Sequence, residues 1–416
     1  MQRKHLRNAA FSVLAVAGLS ALGAGVALAA DVSLDNVSVK SSRPDQTVVI
    51  KHLDAKNSSL SADDLRKLVS GELAPKDEAA LAAKFSADSV TIPEIDATGP
   101  KGGATIHDVV ATGVAAGKIA KLDVAGADIV AKDGDSQGGG KAGKLHVEGI
   151  DLSSSLAAMQ GGAQGLAGAR VSDLKFDGLD ATFPDAQTPK GAPGGNLAHL
   201  VVGAVTAHRD YDGDYPTKGT FDVADAKITF PPASKAGASL KAFGYDAFEV
   251  KMHGEGACTK ADKACHLDGF KVDWPGAIAL AFSGDFGNVT TPDPAGGKDA
   301  QMKAMMAETI GALGIRIDNS GFVEKALAFA AAQKHTNAAA LKGQLMQMTA
   351  MIPMMLGDPE TGKKLGDAVS AFLAAPKNLS VTVKAKGAPV AIGDLKSISS
   401  PAQALAKFSL DAQANQ

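Results

Sequence analysis

Leu122-Asp-Val-Ala-Gly-Ala-Asp128, Leu145-His-Val-Glu-Gly-Ile-Asp151 and Leu174-Lys-Phe-Asp-Gly-Leu-Asp180 are one phrase written three times. In each copy two large apolar residues stand two apart, a glycine follows, and apolar character resumes three residues later on the opposite parity. Side chains alternate faces along a strand, so a change of parity demands a bend or bulge at the glycine. The copies begin 23 and 29 residues apart, which fits strand-turn-strand modules in one sheet but is too irregular for a strict solenoid. Gly126, Gly149 and Gly178 could instead mark close approach to a ligand, but sheet bending is the commoner use of a strand glycine. Asp128, Asp151 and Asp180 read as solvent-facing or turn-capping residues.

The same grammar extends outward. Val90-Thr-Ile-Pro-Glu-Ile95 changes parity around Pro93, and two strands precede it over 31–60, through Val32, Leu34, Val37 and Val39, then Val48, Ile50 and Leu53. Between these lies a helical pair: Ser61-Ala-Asp-Asp64 supplies an N-cap with acids in the first turn, Leu65, Leu68 and Val69 follow at helical spacing, and 76–85 resumes after Pro75. Strands are predicted over 105–114 and 117–130, a flexible loop around 138–140, a helix-compatible stretch over 153–166, and a surface loop or seam over 187–196. A second strand block covers 197–206, 219–230, 239–252 and a long alternation over 267–289.

Beyond the linker 290–298 the composition changes. Helices are predicted over 299–313, 321–333, 338–356 and 359–375, strands over 379–383 and 389–395, and a terminal helix over 401–408. The expected class is α+β, a large curved mostly antiparallel sheet built from irregular strand repeats with a C-terminal helical insertion. The expected domains are a leader (1–30), a β-rich domain with a small N-terminal helical pair (31–295), a Met-rich helical cap (296–376), and strands rejoining the sheet with a terminal helix (377–416).

Composition and compartment narrow the function. Arg3, Lys4 and Arg7, the apolar run 9–30 and Ala27-Leu-Ala29 have the form of a cleavable secretory signal; a retained anchor is the alternative. The expected location is periplasmic or secreted. Removing the leader leaves 39 basic against 45 acidic side chains, a balance of −6. That balance argues against nucleic acid and against a polybasic membrane patch, leaving at most peripheral membrane contact. Cys258 and Cys265, the two cysteines, are expected to form a disulfide across a hairpin turn, worth about 2.5 kcal/mol by loop entropy.

No phosphate loop or His-Glu-x-x-His is present, and no cofactor is expected. Asp210, Asp212 and Asp214 could accept Ca²⁺, but Tyr215 and Phe221 occupy positions where a calcium loop needs glycine and an acid; a hairpin tip at Asp212-Gly213 is the simpler reading. Eight of the 11 methionines lie between Met302 and Met355. Met302, Met305, Met306, Met348, Met351 and Met355 are candidates for a deformable apolar groove; the alternatives are a methionine-filled helix core and a Cu(I) site.

Ala279-Leu-Ala-Phe-Ser-Gly-Asp-Phe-Gly-Asn288 and Asn319-Ser-Gly-Phe-Val-Glu-Lys-Ala-Leu327, with the leader and the glycine-punctuated strands, resemble uncharacterised exported proteins of alphaproteobacteria and, more distantly, AsmA-like envelope proteins. The resemblance implies long curved sheets with apolar grooves used in lipid handling. AsmA-like proteins are usually membrane-anchored, a pattern from which a cleavable leader departs. The expectation is a non-enzymatic envelope protein offering an apolar groove or surface to envelope lipid or to another envelope protein. A carboxylate-based envelope hydrolase and a periplasmic Ca²⁺ or Cu(I) binder are the alternatives.

Overall fold

The computed structural model describes residues 29–41, 45–115, 117–151, 170–189, 191–192, 195–213, 215–290 and 297–416. Residues 1–28 of the expected leader and the helix-compatible stretch 153–166 lie outside them. Nineteen strands run through the described residues, and their ladders are antiparallel. The chain divides into two compact units, Met1–His208 with Asp293–Gly297, and Arg209–Pro292 with Lys298–Gln416. The division therefore falls inside the stretch expected to be one β-rich domain over 31–295.

In the first unit, β1 (Ala30–Val39), β2 (Thr47–Ser58), β3 (Ser86–Gly99), β4 (Gly102–Ala115) and β5 (Lys118–Asp133) pair in succession. β5 then pairs with β6 (Ser136–Ala142) along one half and β7 (Leu145–Asp151) along the other. Those halves continue into β9 (Leu179–Pro184) with β10 (Leu197–Val202), and β8 (Asp173–Phe176) with β11 (Val205–Asp212).

The three phrase copies are neighbouring strands in register. Leu122 faces Val147 and Val147 faces Leu174; Asp123 faces His146 and His146 faces Lys175; Val124 faces Leu145 and Leu145 faces Phe176. At each glycine φ is positive, 148° at Gly126, 60° at Gly149 and 116° at Gly178. Across Gly149 the buried residues pass from Val147 to Ile150, the parity change expected from the sequence.

The same device recurs where the sequence holds no glycine. Buried positions pass from Leu34 to Val37 across Asn36 (φ 49°) and from Ala55 to Ser58 across Asn57 (φ 51°). Asparagine tolerates the left-handed region better than other side-chain-bearing residues. These switches align across strands: a Cβ on Gly113 (φ 62°) would lie 2.8 Å from that of Ala120, and one on Gly149 would strike the Ser172 hydroxyl. The inward side chains thereby remain in one apolar core, containing Ile50, Leu53, Ile95, Val114 and Ile119.

Helix α1 (Ala62–Ser70) is capped by Ser61, whose Oγ accepts from the Asp64 amide at 3.2 Å, and ends at Gly71 in the left-handed region. It buries Leu65, Leu68 and Val69, each worth about 1.5–3 kcal/mol. Helix α2 (Pro75–Ala82) follows. The loop expected over 138–140 is instead strand β6. A Cβ on Gly138 or Gly140 would overlap the backbone of β9, so the glycine run permits close pairing rather than flexibility.

In the second unit, β12 (Tyr215–Thr229), β13 (Phe248–Thr259), β14 (Ala264–Trp274), β15 (Ile278–Gly287), β16 (Thr309–Asn319), β17 (Asn378–Ala385) and β19 (Phe408–Ala414) pair in that order. The short β18 (Val390–Ala391) pairs with β16. Helices α3 (Lys235–Ala242), α4 (Gly297–Ala307), α5 (Phe322–Gln333), α6 (Ala338–Thr349), α7 (Ile352–Leu356), α8 (Pro359–Ala374) and α9 (Pro401–Lys407) accompany them.

Three sequence expectations are corrected in this unit. The helix predicted over 299–313 ends at Ala307, and β16 crosses the stretch expected to be wholly helical; Gly311 and Gly314 disfavour helix, while Ile310, Leu313, Ile315 and Ile317 fit a strand with one bulge. The strand expected over 239–252 begins with α3, capped by Ser234. The strand expected over 389–395 is limited to β18, after which Ile392–Ser397 forms a 3-10 helix; the helix expected over 401–408 is present as α9, and the chain continues from it into β19.

Candidate functional site

Strand alternation gives the second unit's sheet two chemically opposite faces. On one, Phe221, Gly254, Phe270, Phe282, Ile315, Val381 and Ala412 are successive cross-strand partners. A parallel row runs through Val223, Met252, Val272, Leu280, Ile317, Leu379 and Ala414 by the same ladders. The other face carries Asp222, His253, Lys271, Ala281, Arg316, Ser380 and Gln413.

The apolar face is covered unevenly. Over β17 and β19, α8 supplies Leu365, Ala368, Val369 and Phe372 to a core with Leu379 and Ala412. A second cluster holds Ile310, Val390 and Phe408 against Phe286, Leu395 and Ile398. Between them Leu313 is 38% and Ile315 43% exposed, and Phe270, Val272, Leu280 and Phe282 are only partly buried. Large apolar side chains in interior strands ordinarily lose most of their exposure on folding. An uncovered apolar strip rimmed by polar residues marks a binding surface.

The methionines are largely at the surface. Met302, Met305, Met348, Met351 and Met355 are 53%, 42%, 62%, 51% and 69% exposed, and Met354 reaches 80%; Met306 is half-buried. Exposure of this degree excludes a methionine-filled core for those residues. Leu341 and Met348 stand seven residues apart, about two turns, on α6, yet Leu341 is buried and Met348 is not.

Cys258 and Cys265 are bonded and face each other across the β13–β14 hairpin. Of the acidic trio, Asp210 and Asp212 lie at the end of β11, Asp212 pairs with Lys260 at 3.3 Å, and Asp214 lies outside the described residues. Among the described residues no group of three or more His, Cys, Asp or Glu side chains could hold a metal ion. No helix among them is long and apolar enough to cross a membrane.

One constellation escaped sequence reasoning. Histidine nitrogens meet aspartate oxygens at His52–Asp35 (2.6 Å), His107–Asp128 (2.9 Å), His146–Asp123 (2.6 Å), His199–Asp180 (2.7 Å), His208–Asp173 (2.7 Å) and His253–Asp222 (2.6 Å), with His266–Asp285 a seventh pair. Asp128 and Asp180, read from sequence as solvent-facing or turn-capping, are histidine partners. The imidazole of His52 is held above its ordinary pKa by Asp35 and then Asp54, that of His146 by Asp123 and then Glu148, and that of His266 by Asp285. Five of the seven are direct cross-strand neighbours, and the repetition in both units is that of a strand-pairing device.

A family model described as an uncharacterized protein matches residues 271–415, from within β14 to the end of β19. No curated protein matches the chain.

Proposed function

We propose that this is a non-enzymatic protein of the cell envelope, exported to the periplasm, whose second unit receives the acyl chains of envelope lipid on its uncovered apolar strip. The observation that carries the proposal is the pair of apolar rows crossing seven strands, left exposed at Ile315, with the exposed Leu313 two residues before it on the same face of β16. Helix α8 covers β17 and β19, so the strip is bounded on that side by α8. The exposed methionines of α4, α6 and α7 add polarizable apolar surface that adapts to varied chain shapes.

The test is solvent extraction and mass spectrometry of the purified full chain, followed by titration with a fluorescent phosphatidylethanolamine. Phospholipid in the extract, and probe binding weakened at least ten-fold by Ile315→Lys with the melting temperature retained, are expected. An empty extract together with probe binding indifferent to Ile315→Lys would remove the proposal.

A further inference from the structure

A cleft of about 370 Å³ opens between α5, α6 and α8, a volume suited to a small ligand. It shares no residue with the exposed strip on the sheet. Its wall follows a single stripe of α5, from Phe322 through Ala326 and Ala330 to Lys334, and Leu345 and Leu373 close it from α6 and α8. At a rise of 1.5 Å per residue, Phe322 to Lys334 spans about 18 Å, so the cleft is long and narrow. At one end Phe322 is fixed by Phe243 and Trp274, with ring centroids 5.6 and 6.0 Å away.

At the other end stands Lys334, the one charged side chain in the lining. It makes no ion pair among the described residues, whereas Lys342 on α6 is held by the Ala374 carbonyl at 2.6 Å. An open apolar groove with an aromatic ring at one end and a single ammonium group at the other is complementary to an amphiphile with one chain and one negative charge. We infer that this cleft is a binding site for a long-chain fatty acid, its chain along α5 and its carboxylate at Lys334. The small residues Ala326 and Ala330 leave room for the chain; a bulky residue at either would occupy its path.

The experiment is isothermal titration of the delipidated full chain with oleate below its micellar concentration, and in parallel with oleyl alcohol, which has the same chain and no charge. The expected result is saturable binding of one oleate. Lys334→Gln should weaken oleate by up to about five-fold, the size of a rim ion pair, and leave oleyl alcohol unchanged. Ala330→Trp, with folding checked by circular dichroism, should abolish binding of both. The inference is overturned if the wild-type chain binds no oleate, or if oleate binding is unaffected by both cleft substitutions. Should Ala330→Trp prove unfolded, equal loss of oleate and oleyl alcohol in Lys334→Gln would overturn it as well.

Discussion

Single residues fix the direction of each strand in the first unit. Gly149 holds φ at 60° and its neighbour Ser172 occupies the space a Cβ would need, while Gly134 holds φ at 59° with open space around it. Both lose about 1–2 kcal/mol to backbone strain on replacement by alanine, but only Gly149→Ala adds a steric clash. Denaturant unfolding should therefore show Gly149→Ala more destabilised than Gly134→Ala, and equal losses would contradict the role assigned to the close approach. The glycines were legible because the phrase repeats around them. Asn36 and Asn57, doing the same work, were not, because asparagine in a polar stretch carries no distinctive signal.

The histidine pairs, also residue-scale, set a pH dependence. His52, His146 and His266 have folded pKa values raised above the ordinary 6.5, so the folded state binds their protons more tightly than the unfolded chain does. Their stabilisation is fully present below the unfolded pKa of about 6.5 and is lost as pH rises through the raised folded values. Thermal melting from pH 6 to 9 should show a decline that the triple replacement by glutamine flattens. The pairs escaped sequence reading because their partners stand 17 to 35 residues away, at separations fixed by strand register rather than by motif.

At the scale of elements, the β13–β14 hairpin is the most securely legible feature, since its cysteines and alternation agreed on one antiparallel pair. Its disulfide closes a short loop, so reduction should cost about 2.5 kcal/mol, read as a lower melting temperature of the reduced chain. An unchanged melting temperature would mean that the ladder alone fixes the hairpin. Strand β16 was illegible for the opposite reason. It follows α4, whose alanines and methionines favour helix, and its own Gly311 and Gly314 blur the alternation of its isoleucines. The exposed methionines show a related limit: helical spacing predicts a stripe, but which face is covered depends on what packs there.

For the whole molecule, the exposed apolar strip raises a question of balance between stability and use. Phe372 on α8 is 7% exposed and packs on β17 and β19, while Ile315 on the adjacent β16 is 43% exposed. Truncating a buried phenylalanine to alanine costs about 3–5 kcal/mol through lost burial and the cavity left behind. Ile315 has much less burial to lose, so Ile315→Ala should cost less than about 1.5 kcal/mol. Equilibrium denaturation of the two variants should separate them by at least about 2 kcal/mol. If Ile315→Ala proves as costly as Phe372→Ala, the strip is covered in solution and serves the fold. If the costs separate while phospholipid binding falls with Ile315→Ala, the strip is retained for what it binds, since a residue contributing little to folding would then be contributing to recognition.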